Sequence, residues 1–216
     1  MADRAVGIPI VKEGLPFVLG AGAPAVLAAG LGWTGLALAL GAVALFIAWF
    51  FRNPKRVAPP TLHAVVAPGD GKVIAVTEEY EPRFLKDQGI RISIFLNIFN
   101  VHVNRIPCQG MVEDVAYQPG TFVPADRPDA TLRNEQNALM IRTAQGAKVL
   151  CVQVAGLIAR RIVCWVAPGD RVVCGERYGL IRFGSRMDMF LPAGTKVRVK
   201  VGMHVKGGET ILAELG

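Results

Sequence analysis

The segment RYGLIRFGSRMDMFLP, residues 177–192, places a serine directly after a glycine and between two runs that alternate in polarity. Such alternation is typical of β-strands, and a Gly-Ser pair most often forms an ordinary surface turn. Ser185 is also a potential nucleophile, because a nearby base can activate its hydroxyl for attack on a carbonyl carbon. Gly184 has no side chain to hinder attack on its own carbonyl group. The segment therefore predicts a serine in a turn, with either a structural or a nucleophilic role.

A base for such a serine has few candidates, because the chain has three histidines, His63, His102 and His204. His102 differs from the others in its context, since it follows the apolar run SIFLNIFN and precedes a turn proline. Histidine is the usual general base near neutral pH. Asp70, in the Gly-flanked turn of VVAPGDGKVIAV, is the predicted carboxylate that orients it. An Asp–His–Ser arrangement would activate Ser185 as in a hydrolytic triad.

The four cysteines do not indicate a metal site. No two of them have C-x-x-C spacing, and no cysteine or histidine pair forms a metal-like cluster. Their neighbours are apolar, as in VLCVQV and IVCWV, which predicts buried, reduced thiols. The cysteines are Cys108, Cys151, Cys164 and Cys174.

The elements that position these residues are predicted to be mainly β. After residue 60, short β-branched runs are bounded by Gly, Pro and Asp, which favours a sandwich or barrel-like fold. The segments GDRVVCGE (169–176) and GMHVKGGE (202–209) share the pattern G-x-x-V-x-x-G-E. This repeat predicts related hairpins on the two sides of Ser185, similar to the turns of lipoyl-domain-like sandwiches.

The N-terminus is of a different character, because residues 14–51 contain no Asp, Glu, Lys or Arg. One bilayer span needs about 20 apolar residues, so this run is long enough for two short spans. The segment GLGWTG, residues 30–35, is the predicted break between them. We expect residues 1–51 to form an α-helical membrane hairpin; a re-entrant hairpin is the alternative. A cleaved signal peptide is disfavoured, because its apolar core spans only about 7–15 residues.

The charge lies outside this apolar segment. Residues 1–51 contain two basic and two acidic residues, so the formal net charge of +7 belongs to residues 52–216. A basic face beside a bilayer favours an anionic membrane surface as partner. Arg52, Lys55 and Arg56 follow the apolar run and favour the cytoplasmic side of the cell membrane for the globular domain. No motif indicates nucleic-acid binding.

Six segments together resemble one known family in their order and spacing. They are FFRNPKR, PGDGKVI, FNVHVNRIP, NEQN, AGLIARRIV and ERYGLIRFGSRMDMFLP. The chain is similar, from the membrane segment onward, to the short bacterial form of phosphatidylserine decarboxylase. The resemblance implies a membrane-bound enzyme that converts phosphatidylserine to phosphatidylethanolamine and carbon dioxide.

The resemblance also implies that the chain is a proenzyme that cuts itself between Gly184 and Ser185. The products would be a beta chain, 1–184, and an alpha chain, 185–216, which stay together. Ser185 would become a pyruvoyl group, a covalent cofactor whose ketone forms a Schiff base with the substrate amine and accepts electrons during decarboxylation. No metal is implied.

Several site residues follow from the resemblance. His102 would be the base for self-cleavage, oriented by Asp70, and then the acid that protonates the product carbon. Arg105 stands where longer family members often have a second histidine. Arg105 and Arg186 are candidate contacts for the substrate carboxylate or phosphate.

Two other functions stay open at the level of sequence. One is decarboxylation of a related serine-headgroup lipid such as archaetidylserine, which would use the same headgroup chemistry. The other is a non-catalytic, membrane-anchored β-sandwich binding module. A homo-oligomer is possible in either case.

Overall fold

The computed structural model describes residues 9–61, 63–121, 133–156, 161–182 and 185–216. The chain divides into two compact units. One ends at Lys55, and the other runs from Arg56 to Gly216. This boundary lies close to the predicted boundary at 51/52.

The first unit contains two apolar helices, α1 (Leu15–Gly30) and α2 (Thr34–Phe50), after a short 3₁₀ helix at Lys12–Gly14. The predicted break is present, since α1 ends and α2 begins within residues 30–35. The helical segment Lys12–Gly30 is long and apolar enough to cross a membrane, whereas α2 is shorter. Most side chains of both helices are not buried in the protein; Val26, for example, is 74% exposed.

The second unit is built from β-strands, which confirms the mainly β prediction. Its described strands are β1 (Ala64–Val66), β2 (Gly71–Glu81), β3 (Asp87–Leu96), β4 (Val103–Arg105), β5 (Gly110–Gln118), β6 (Gln136–Arg142), β7 (Lys148–Ala155), β8 (Ile162–Cys164), β9 (Arg171–Val172), β10 (Arg177–Ile181), β11 (Ser185–Pro192), β12 (Lys196–Val197), β13 (His204–Val205) and β14 (Ile211–Glu214).

These strands form three sheets. The largest is a curled half-barrel with the order β13-β2-β3-β11-β7-β6-β5-β9. The two smaller sheets have the orders β1-β14-β12 and β4-β10-β8. Strand β11 is central in the large sheet and pairs antiparallel with β3 and β7. Strand β10 belongs to a different sheet, so β10 and β11 do not form a hairpin.

Strand β11 is buried on both faces, and its alternate residues enter two separate cores. Met187, Met189 and Leu191 join the larger apolar cluster, whereas Phe190 joins a smaller cluster on the other face. Successive side chains of a strand point to opposite faces of the sheet. Ser185 therefore shares the face of Met187, and Arg186 lies on the opposite face.

The repeated pattern corresponds to a structural repeat. Gly169 and Gly202 have φ values of 89° and 95°, and Gly175 and Gly208 have φ values of 80° and 78°. These left-handed conformations favour glycine at all four positions. The two segments pair with different strands, because β9 pairs with β5 and β13 pairs with β2. The two segments thus share their glycine conformations, while the predicted hairpins and a lipoyl-like origin stay predictions.

Candidate active site

Ser185 is the first residue of the central strand β11. It lies at the end of the large sheet where β11 begins and where β3 and β7 terminate. Its register partners are Leu96, the last residue of β3, and Ala155, the last residue of β7. The prediction that Ser185 lies in a turn is wrong, because Ser185 is already paired with both neighbouring strands of the sheet. Gly184, the other residue of the predicted cleavage site, lies outside the described residues.

The hydroxyl of Ser185 is in an unusual environment. The residue is fully buried, and its Oγ has no hydrogen-bond partner among the described residues. Leaving a buried polar group unsatisfied costs about 1–3 kcal/mol. Such groups are rare in folded proteins and are often explained by a catalytic role. A buried hydroxyl without a hydrogen-bond partner is expected of a nucleophilic serine. The hydroxyl of an ordinary turn serine would instead be exposed to solvent.

His102 is brought to the same end of the sheet by the turn that follows β3. In this turn, Asn97 N donates to Asn100 Oδ1 at 2.9 Å, and Phe99 N donates to Asn97 Oδ1 at 2.8 Å. The main-chain oxygen of His102 accepts a hydrogen bond of 3.4 Å from Ile181 N, at the end of β10. These hydrogen bonds fix the turn between His102 and Leu96, the register partner of Ser185. They also join His102 to the end of β10.

The ring of His102 is buried, and its Nδ1 lies 3.0 Å from the main-chain oxygen of Asn100. When Nδ1 carries the proton and donates it to this oxygen, Nε2 has the lone pair that a general base needs. A backbone carbonyl therefore sets the tautomer that the predicted role requires. The role of His102 itself stays a prediction.

Asp70 lies between β1 and β2 and is held by two groups. Its Oδ1 accepts a hydrogen bond of 2.8 Å from Gly207 N, and its Oδ2 accepts one of 2.9 Å from Arg56 Nη2. Arg56 Nη1 also pairs with Glu209 at 3.0 Å. The proposed orientation of His102 by Asp70 stays a prediction. The contacts described for Asp70 tie it instead to the turn that carries the second copy of the repeat.

Arg105 is buried at the end of β4, and its Nη1 donates to the oxygen of Gly175 at 2.9 Å. Burial, followed by the like charges of Arg56 and Arg177, lowers the pKa of Arg105 to about 10. Arg105 is therefore still a cation at neutral pH. A buried cation suits binding of an anion, and this role also stays a prediction.

Arg186 is 3% exposed and pairs with the fully buried Asp188. Arg186 Nε lies 3.0 Å from Asp188 Oδ1, and Arg186 Nη2 donates to Asp188 Oδ2 at 3.0 Å. Both side chains lie on the sheet face opposite Ser185. The sequence did not predict this ion pair, although the spacing Arg-x-Asp on one strand is the signal that places two residues on one face.

No motif in the sequence indicated the three buried amides Asn104, Asn137 and Gln153. Asn104 and Gln153 are each 0% exposed, and Asn137 is 4% exposed. Asn137 Nδ2 donates to Gln153 Oε1 at 3.0 Å, and Gln153 Nε2 donates to Asn104 Oδ1 at 2.8 Å. The only sequence signal was a polar residue at an otherwise buried position of each strand.

The cysteines are free thiols with limited exposure to solvent. All four are free, Cys108 and Cys151 are buried, and Cys164 and Cys174 are half-buried. Burial raises the pKa of Cys151 to about 12 and that of Cys174 to about 11. Thiols with such pKa values are poor nucleophiles at neutral pH. Cys151 and Cys174 therefore do not compete with Ser185 as nucleophiles.

Known proteins resemble this chain over most of its length. Residues 43–213 match the family model of phosphatidylserine decarboxylase. A phosphatidylserine decarboxylase proenzyme of Geobacter metallireducens is 51% identical over 212 residues, covering 96% of this chain and 97% of the relative. The proenzyme of Nitrosomonas eutropha is 49% identical over 208 residues, covering 95% and 94%.

The chain belongs to the phosphatidylserine decarboxylase family. The family predicted from the six motifs is thereby confirmed, and so is the prediction that the chain is a decarboxylase. The alternative of a non-catalytic binding module is not supported. The relatives are named proenzymes, which agrees with the prediction that the chain is made as a precursor.

Proposed function

We propose that the chain decarboxylates phosphatidylserine to phosphatidylethanolamine and carbon dioxide with a pyruvoyl group formed from Ser185. The observation that carries the proposal is the buried, unsatisfied hydroxyl of Ser185 at the first position of a central strand. The family membership supports the substrate, because the relatives are phosphatidylserine decarboxylase proenzymes.

Self-cleavage needs only groups of the chain itself. His102 accepts the proton of the Ser185 hydroxyl, whose Oγ adds to the carbonyl carbon of Gly184 and displaces the amide nitrogen to give an ester. Loss of the proton on the Ser185 α-carbon then expels the carboxylate of 1–184. Hydrolysis of the remaining dehydroalanine consumes water, releases ammonia and leaves the pyruvoyl group on 185–216.

The surroundings of residue 185 fit this group. Its ketone supplies the electron sink for decarboxylation of an amine-bearing substrate. The sheet face of Ser185 carries the apolar side chains of Leu96 and Met187, both fully buried. A water-poor site favours loss of a charged carboxylate as neutral carbon dioxide. His102, on the same end of the sheet, is the acid proposed to protonate the product carbon.

The mass of the purified chain tests the proposal. We expect the 23.2 kDa chain to split into two fragments, with 185–216 lighter by one ammonia than the peptide that starts with serine. Its blocked N-terminus should prevent stepwise degradation from that end. Incubation with phosphatidylserine and borohydride should attach the lipid to 185–216 alone. A lipid attached to a lysine of 1–184, or a small fragment with a free serine N-terminus, would contradict the mechanism.

We propose further that the two apolar helices attach the enzyme to the cell membrane, with the catalytic unit on the cytoplasmic side. The exposed apolar side chains of the helices support attachment. Arg52, Lys55 and Arg56 support the cytoplasmic side, because basic residues that flank a span favour it. The formal net charge of +7 on residues 52–216 supports an additional contact with anionic lipids.

Removal of residues 1–51 should abolish most membrane association while the β unit stays folded. Residual binding should require anionic vesicles and disappear at high salt, since screening weakens attraction between exposed charges. Co-sedimentation with neutral and anionic vesicles at two salt concentrations measures both effects. Binding of the truncated protein to neutral vesicles at high salt would reveal a second apolar attachment surface.

The alternative substrate with the same headgroup, archaetidylserine, differs only in its lipid tails. Parallel assays of carbon dioxide release with the two lipids, at equal concentration in the same vesicles, distinguish the substrates. We expect phosphatidylserine to be preferred.

A further inference from the structure

The row of amides formed by Asn137, Gln153 and Asn104 crosses from the large sheet to a small one. Asn137 and Gln153 are register partners on β6 and β7, and Asn104 lies on β4. Gly179 permits this approach, because a Cβ on it would lie 3.0 Å from Gln153 Nε2 and 2.2 Å from Val163 O. The row therefore fixes the side chain of Asn104 relative to the large sheet.

Each amide of this row donates a hydrogen bond to the next, in the order Asn137, Gln153, Asn104. Gln153 Nε2 also lies 3.4 Å from the oxygen of Val163, which can only accept. The Nε2 atom is thus the donor end of Gln153, and the Oδ1 atom of Asn104 must be its acceptor. Asn104 Nδ2 is left as the donor at the end of the row. It has no hydrogen-bond partner among the described residues, although Asn104 is fully buried.

This donor is directed to the neighbourhood of Ser185. A Cβ on Gly69 would lie 3.5 Å from Asn104 Nδ2, 3.2 Å from Leu96 Cδ2 and 3.6 Å from Met187 Cγ. Leu96 is the register partner of Ser185, and Met187 follows Ser185 on the same face of β11. Within the described residues, an unsatisfied donor and the unsatisfied Ser185 hydroxyl thus occur at the same end of the sheet.

We propose that Asn104 is a catalytic residue of self-cleavage. Its Nδ2 donates a hydrogen bond to the oxygen that gains negative charge when the Ser185 hydroxyl adds to the preceding carbonyl carbon. Gln153 is a positioning residue, because it holds the Oδ1 atom and so keeps the donor directed at the reacting group. This inference rests on the proposed self-cleavage and adds a residue to it. A buried donor that is unsatisfied in the ground state can act fully when the charge develops.

The variant Asn104→Leu tests the proposal in the full-length chain. We expect self-cleavage to slow by about 100- to 1,000-fold, the loss that follows removal of one such donor. The thermal midpoint should fall only slightly, because leucine removes the unsatisfied Asn104 Nδ2 but also the acceptor of Gln153 Nε2, which keeps Val163 O as its partner. The nearly isosteric variant Asn104→Asp should cleave slowly at alkaline pH, where its carboxyl is ionised and has no hydrogen to donate. Gel electrophoresis of freshly synthesised chains measures the rates.

The control is Thr143→Val, which removes a buried hydroxyl just after the end of β6 that lies beside the start of β7, whereas Ser185 pairs with Ala155 at the other end of β7. It should cleave within a few-fold of the unaltered chain. Hydroxylamine, which cleaves esters, should not accelerate the splitting of Asn104→Leu, because the lost hydrogen bond acts before the ester forms. Rescue by hydroxylamine, or cleavage of both Asn104 variants at the unaltered rate, would overturn the role of Asn104. An unaltered chain that never splits would instead refute the proposed function.

Discussion

Replacement of Ser185 by alanine is expected to leave a single uncleaved chain of about the full 23.2 kDa mass with no detectable decarboxylase activity. Alanine has no hydroxyl to attack the preceding carbonyl, and no pyruvoyl group can form without that attack. The variant should remain folded, because removal of a buried, unsatisfied hydroxyl relieves a cost of about 1–3 kcal/mol. Intact-mass measurement and release of carbon dioxide from phosphatidylserine give the two readouts.

Ser93→Ala is the matched control for this experiment. Ser93 is also a buried serine of the large sheet, and its register partner on β11 is Asp188. It lies on the opposite face from Ser185, since the neighbouring residues Ile92 and Ile94 belong to the larger core. We expect Ser93→Ala to cleave and to remain active. Cleavage of Ser185→Ala after residue 184 would refute the mechanism.

The second large effect is expected for His102→Ala. General-base catalysis contributes about 100- to 10,000-fold, and self-cleavage should slow by that factor. The remaining precursor should be inactive, because its Ser185 is unconverted. Time courses of precursor disappearance measure the rate. His204→Ala is the control, since His204 is exposed on β13 and should mature normally. Normal maturation of His102→Ala would remove this histidine from the mechanism.

Asp70→Asn distinguishes two roles of the carboxylate. If Asp70 orients His102, cleavage should slow, though less than in His102→Ala. Arg56→Gln breaks the ion pair of 2.9 Å with Asp70 without altering the carboxylate itself. Slow cleavage in Asp70→Asn together with normal cleavage in Arg56→Gln would support the orienting role. Equal slowing in both variants would show that cleavage depends on the ion pair between Arg56 and Asp70 and not on orientation of His102 by Asp70.

Much of the fold was readable from local patterns. Short β-branched runs bounded by Gly, Pro and Asp predicted a mainly β unit after residue 60, because such residues fit the pleated surface of a sheet. The break between α1 and α2 followed from glycines in an uncharged run. The shared pattern of residues 169–176 and 202–209 predicted related hairpins, and the structure shows that the glycines of both segments have the same left-handed conformation.

Other features depended on contacts between distant parts of the chain. Ser185 looked like a turn residue, yet β10 and β11 pair in different sheets, and Ser185 begins a central strand. The prediction that Arg186 contacts the substrate stays a prediction, whereas its ion pair with Asp188, on the sheet face opposite Ser185, became visible only in the structure. A local pattern shows which side of a strand is apolar, but it does not show which strand becomes its neighbour.

The sequence by itself determined the family and the β class, and it predicted the nucleophile with its preceding glycine and the apolar anchor. These properties are carried by residue types and short spacings, which do not depend on strand pairing. Only the tertiary structure decided that the Ser185 hydroxyl is buried without a described partner and that the Asn104 donor is directed to the same end of the sheet. Gln153 and Asn104 are 49 residues apart, so their contact depends on how the two sheets pack, and burial of both amides follows from that packing.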